Sequence, residues 1–256
     1  MKRIFSRLVL VSLLTLGLGT VAQAEMKCGQ GKCGGGKCGS MSKGKAQGKG
    51  MANYRAVPTK DAQILQDGKN KMYCPICGMT LSQFYKTNHA ADDAKGNTHQ
   101  YCSIVCAMED AVVNGKKLTN YKVVDNSTLK FIDSKDAFFV VGSKKPGTMS
   151  VVSKYAFGQK ADAQKFADQN GGKIMSFNEL FQTVKNDLQK DMAATKMRQS
   201  KAATMGEKIY NKMCQKTDKR FESVADAKSF LSTSGICGNI KGKKHQQVAL
   251  FLSGKK

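Results

Sequence analysis

The chain has no tryptophan, few arginines and only three histidines, and its acidic residues number 19 against 42 basic ones. Nucleic-acid surfaces cluster arginine and interleave it with aromatics. That pattern is missing here, so the formal net charge of +23 does not point to nucleic acid. The charge is mostly lysine, spread along the whole length, and reads as a solvated basic surface, with an acidic partner protein as the alternative. Beyond the first two dozen residues no apolar run is long enough to span a bilayer. No segment pairs a nucleophile with a base, so nothing indicates an enzyme. The C-x-x-C-H haem-attachment pattern is absent too, because Cys214 is followed by "QKTD". Neither His89 nor His99 has metal spacing to another histidine, so both read as surface residues ahead of ligands. His245 reads as a lone exposed histidine.

What is present begins with an export signal. "MKRIFSR" is a short basic region, "LVLVSLLTLGLGTV" an apolar run too short for a comfortable membrane span, and "AQA" a small-x-small cleavage box ending at Ala24. Cleavage there removes Lys2, Arg3 and Arg7 and lowers the positive charge by three. Glu25, not a cysteine, follows the box, and Cys28 comes too late for a lipoprotein. Residues 1–24 are therefore read as a signal peptide, and the mature chain as a periplasmic protein without a membrane anchor. Nine cysteines and thirteen methionines are many for an exported chain. Disulfides are the default in that compartment, but nine is odd, and abundant thiolate and thioether favour a soft ion such as Cu(I).

Residues 25–53 are a Cys/Gly/Lys-rich tail in which a K-C-G unit recurs three times, placing Cys28, Cys33 and Cys38 five apart. Such a composition cannot bury a core and reads as disordered. Its thiols can close on one thiophilic ion, and neighbouring lysines favour the thiolate form. It resembles the Cys-Gly-Lys repeats of small secreted bacterial copper-buffering peptides.

Residues 54–198 read as the main metal-binding domain. A knuckle, "YCPICGMT", comes first. A hairpin turning at "AKGN" follows, then a helix over "SIVCAMEDAVV" stopped at Gly115, then a strand at "YKVVD". Further on come strand-like runs at "AFFVVG" and "GTMSVVSKYAF", a helix over "KADAQKFADQN", a strand at "KIMSF", and a helix opening on the Ser-x-x-Glu capping box of "SFNE". Two ββαβ units are expected, the second entered at "PGTM", with Met79 and Met149 in comparable entry positions. Residues 199–256 read as a small all-α unit, with a Cys214–Cys237 disulfide its simplest cysteine pairing. The fold class is α+β.

Cys74 and Cys77, spaced C-x2-C, and Cys102 and Cys106, four apart on one helical face if both are helical, form the strongest constellation. A knuckle pair and a helix pair bring four thiolates to one tetrahedral metal. One or two disulfides, or a redox Cys74/Cys77 pair, are the alternatives. If "CGM" is extended, Cys77 and Met79 share a face and make a thiolate–thioether pair for Cu(I); a core methionine is the alternative for Met79. Met149 either closes the site or begins a strand, and Met108 reads as core.

"CPICGM", followed by "FIDSKDAFFVVGS", "PGTMS" and "YAFGQKADAQKFADQNGGKIMSFNEL", resembles the NosL family of nitrous oxide reductase accessory proteins across most of residues 70–185. The resemblance implies an exported Cu(I) chaperone that delivers copper for the copper-sulfide centre of nitrous oxide reductase. It carries the soft ligands onto Cys77, Met79 and Met149. "YCSIVC" departs from that pattern. It looks like TRASH- or YHS-type knuckles, which keeps zinc in a four-cysteine site open. The C-terminal unit looks like a small cytochrome c frame without its haem motif. The rival functions are a general periplasmic copper or heavy-metal buffer and a structural zinc-knuckle interaction protein. The implied partners are nitrous oxide reductase or other periplasmic copper-handling proteins.

Overall fold

The structure, a computed structural model, describes residues 53–255. The signal segment 1–24 and the tail cysteines Cys28, Cys33 and Cys38 lie outside the described residues.

The first regular unit is a hairpin of β1 (His89–Asp93) and β2 (Thr98–Tyr101), helix α1 (Ile104–Val112) and strand β3 (Leu118–Val124). Its turn falls at "AKGN" as the composition predicts. The Asp93 carboxylate accepts the backbone N–H groups of Lys95 and Asn97 at 2.9 and 3.0 Å, and Gly96 takes φ +81°. An Asx turn closed by a left-handed glycine fixes the register. β3 pairs antiparallel with β1, across an irregularity between Ala90 and Asp92 where Asn120 takes φ +49°, the mark of a bulge. A short β4 (Phe131–Asp133) completes a sheet of order β2-β1-β3-β4.

The second unit repeats the plan with β5 (Phe138–Val141), β6 (Lys154–Phe157), α2 (Lys160–Asn170) and β7 (Lys173–Met175), in the order β6-β5-β7. Both units are ββαβ, and in each the first strand is flanked by the second and the last. The entry expected at "PGTM" is corrected. The first strand of this unit is "FFVV", and "PGTMS" lies inside the long connection between β5 and β6. Met149 therefore sits within a hairpin, whereas Met79 precedes β1 altogether, so the two are not in comparable positions. The reason is local. Pro146 and Gly147 break extension, and Met149 itself is left-handed at φ +62°, so the strand-like "MSVV" run cannot pair.

Helix α3 (Phe177–Met213) opens on the expected capping box, with the Ser176 hydroxyl bonded to the Glu179 N–H and the Glu179 carboxylate accepting the Ser176 N–H at 2.8 Å. The two helices expected on either side of position 198 are one. "MAATKMRQSKAATMG" is rich in strong helix formers and holds no proline, so nothing interrupts it. The helix is about 55 Å long. Leu180, Val184 and Leu188, spaced a turn apart, pack on the core of the first sheet and the cysteine region. At its far end Tyr210 joins a separate core with α4 (Val224–Ser234) and α5 (Gly242–Ser253), built from Leu231, Val248 and Leu252. The Cys214–Cys237 disulfide closes this unit. Among the described residues no helix is long and apolar enough to cross a membrane.

Candidate metal centre

The knuckle is a tight reversal. The Cys74 N–H donates to the Met79 carbonyl at 2.9 Å and the Gly78 N–H to the Cys74 carbonyl at 2.8 Å, with a bridge between Tyr73 and Thr80 outside them. Gly78 is at φ +67°, and a side chain there would run into Val224 of α4. The second cysteine pair sits at the turn from β2 into α1. Cys102 directly follows the strand, Ser103 is the N-cap, and Cys106 lies in the first helical turn. Cys102 is thus outside the helix, a correction to the expected helical pair. The strand-to-helix corner still brings its sulfur toward that of Cys106.

The structure brings all four cysteines together. Cys74, Cys77, Cys102 and Cys106 are buried and free of disulfides, with their sulfurs all within 4.8 Å of one another. Sγ–Sγ separations are 3.4 Å for Cys77–Cys102, 3.7 Å for Cys102–Cys106 and 3.8 Å for Cys77–Cys106. Four sulfurs held tetrahedrally at metal–sulfur bonds of about 2.3 Å stand about 3.8 Å apart, so the cluster already has the size of a four-thiolate cage. Thiolate charge is shared unequally. Burial pushes the Cys74 thiol up, but hydrogen bonds from Cys102, Cys106 and Cys77 outweigh it and hold Cys74 well below the ordinary thiol range. Burial drives Cys102 well above that range, and hydrogen bonding to the neighbouring sulfurs does the same for Cys106. A cation entering the cage displaces the protons its thiols carry.

The C-terminal helices close over this knuckle, a placement no local pattern announces. Lys228 of α4 is buried, donates to the Thr80 hydroxyl at 2.9 Å and to the Gln246 side-chain carbonyl at 3.0 Å, and lies 4.6 Å from the centre of the Tyr73 ring. Burial lowers its pKa to about 8, against an upward pull from Cys77 and Cys74. Gln246 of α5 donates to the Cys77 carbonyl at 2.9 Å. A lysine and a glutamine, 148 and 169 residues from their partners, thus hold the loop that carries Cys77.

Met79 is half-buried against the same core. Met149 is buried and lines, with Cys77, a cavity of about 460 Å³ between the knuckle and α3. Met108 is wholly buried in the core. The surface reading of His89 is overturned. It is fully buried and stacked on Phe139, with Nδ1 3.2 Å from the Thr87 carbonyl and Nε2 unpartnered. As the first residue of a central strand it has no route to solvent. His99 instead bonds Asp93 at 2.9 Å, and His245 is half-buried against the Lys228 carbonyl at 3.1 Å.

No curated protein matches the chain. Among solved structures, the crystal structure of the copper chaperone NosL from Shewanella denitrificans is similar at 26% identity. The match covers 48% of this chain and 96% of that one, with a TM-score of 0.38. The NosL family model matches residues 66–185, a span that takes in the knuckle, the Cys102–Cys106 corner and both ββαβ units. Residues 66–185 are thus similar to the NosL family.

Proposed function

We propose that this is a periplasmic Cu(I) chaperone, exported by residues 1–24, which supplies copper for the copper-sulfide centre of nitrous oxide reductase. The observation that carries the reading is the cage of four buried sulfurs, at metal-site spacing, on a NosL frame. Thiolates suit a soft cuprous ion, and the copper is cargo that arrives and leaves by ligand exchange. Cys28, Cys33 and Cys38 of the tail capture it. Cys77, with Cys74, Cys102 and Cys106, holds it, and Met79 and Met149 add thioether donors. A client protein with a deeper sulfur site removes it. No bond of a substrate is made or broken, which is the work of a carrier and not of an enzyme. The same buried four-cysteine cage also favours a second reading, a closed structural zinc site, and a buffer without a dedicated client shares the copper chemistry.

Competition against a chromophoric Cu(I) chelator separates these. The expected result is stoichiometric Cu(I) uptake that weakens in Cys77→Ala and in Met79→Ala while the tail retains some capacity. Zinc held in the cage of anaerobically isolated protein, with no Cu(I) uptake, overturns the reading. Unimpaired nitrous oxide reduction at limiting copper in a strain lacking the gene overturns the delivery step alone.

A further inference from the structure

The cavity of about 460 Å³ beside the knuckle is walled by Ile76, Cys77 and Glu109 on one side and by Met149 and α3, with Met192, on the other. Cys77 and Met149 are buried, and Met192 is half-buried against the cysteine core. These three sulfur side chains therefore line one opening, and their exposure rises from Cys77 through Met149 to Met192. The arrangement is fastened in place. The Met149 carbonyl accepts the Thr195 hydroxyl at 3.1 Å, and Thr195 lies one turn beyond Met192 on the same face of α3. Met149 pays for its place with a left-handed backbone at φ +62°, a conformation that a long side chain adopts only when the surroundings impose it. Thr195 and Met192 both lie past residue 185, where the family match ends, so the anchor and the outer donor come from the extension of this chain.

We infer that Met192, with Met149, forms a thioether port through which Cu(I) enters and leaves the cage at Cys77. The inference rests on the copper reading above and adds an outer station to it. Thioethers bind Cu(I) and are poor partners for zinc or other hard divalent ions, so a port lined by them selects the cargo before it meets the thiolates. Transfer is pure ligand exchange: a Met192–metal bond forms as the external donor leaves, and Met149 and then Cys77 take over. No electron is exchanged.

The test uses the full mature chain with 13C-labelled methionine methyl groups and Ag(I), a redox-inert ion with the same soft preference. The expected result is that the Met149 and Met192 methyl signals both move as Ag(I) is added. Met192→Leu, which keeps the volume, is expected to leave equilibrium affinity nearly unchanged and to slow release to a chelator about tenfold. A Met192 signal that stays still while the cage fills, or wild-type release from Met192→Leu, overturns the port and leaves the chaperone reading standing. A chain that takes up no Ag(I) at all overturns both.

Discussion

The two ββαβ units share one frame and put it to different uses. In both, the second strand ends on an aromatic residue, Tyr101 or Phe157, and the helix begins three residues later. The corner of the first unit holds Cys102, the N-cap Ser103 and Cys106. The matching positions of the second are Gly158, Gln159 and Asp162. There the Gly158 N–H donates to the Asp125 carboxylate at 3.2 Å, Thr128 and the Ser127 N–H donate to the same carboxylate, and the Ser127 hydroxyl bonds Asp162 at 2.8 Å. The corner is a place where side chains converge whatever they are. Filled with thiols and faced by a knuckle it makes a metal cage; filled with glycine and aspartate it makes a polar joint that ties the two sheets at Asp125 and Ala156. Likewise His89, opposite Tyr101, corresponds to Phe138, opposite Phe157.

Substitutions at the two corners differ in the size of their effect. Removing a thiol from the first corner acts most strongly. Cys106→Ser is expected to weaken metal binding by on the order of 100-fold or more, while Asp162→Ala leaves it unchanged; equal losses in a chelator competition would mean that the corners are not distinct.

Acid lability belongs to the first unit as well. Burial, aided by Lys154 and opposed by the bond to the Thr87 carbonyl, lowers the His89 pKa to about 4. The unfolded chain takes up that proton near pH 6.5. Between those values the unfolded state binds more protons, so stability falls as pH drops through 6.5 and levels off below about 4, with a loss on the order of 3 kcal/mol. His89→Phe, which copies the second unit, is expected to flatten that slope in denaturant melts taken across pH, whatever it does to the stability at pH 7.

The smallest effect is expected at the polar joint. Asp125→Ala strands several donors and costs about 2 kcal/mol, read as a lower denaturant midpoint with metal affinity unchanged.

Much of the frame is visible in local sequence because its signals are local: the "AKGN" turn, the Gly115 stop, the Ser176 capping box and the two helix patterns each name their own boundary. The convergence of the four cysteines was legible from the C-x2-C spacing and the four-residue spacing of the second pair, though that pair reads as one helical face and the structure makes it a strand-to-helix corner. What stayed hidden depends on partners far along the chain. Nothing around Lys228 or Gln246 announces that they reach Thr80 and Cys77. His89 looks like any polar residue beside a turn until β3 and Phe139 close over it. Nothing around Met149 decides between a ligand and the start of a strand, because its left-handed backbone leaves no trace in residue type.

The two cores along helix α3 are in phase. Leu188, which faces the cysteine core, and Gly206, where the helix comes against the backbone of Gln247 in α5, are separated by about five whole turns. The two cores therefore lie on the same side of one rod, which is why α4 can reach back to Gly78. Deleting one residue between them would swing the far core through about 100° and carry α4 off the knuckle. The spacer is free in composition and fixed in length, so insertions there are tolerated only in near-whole numbers of turns.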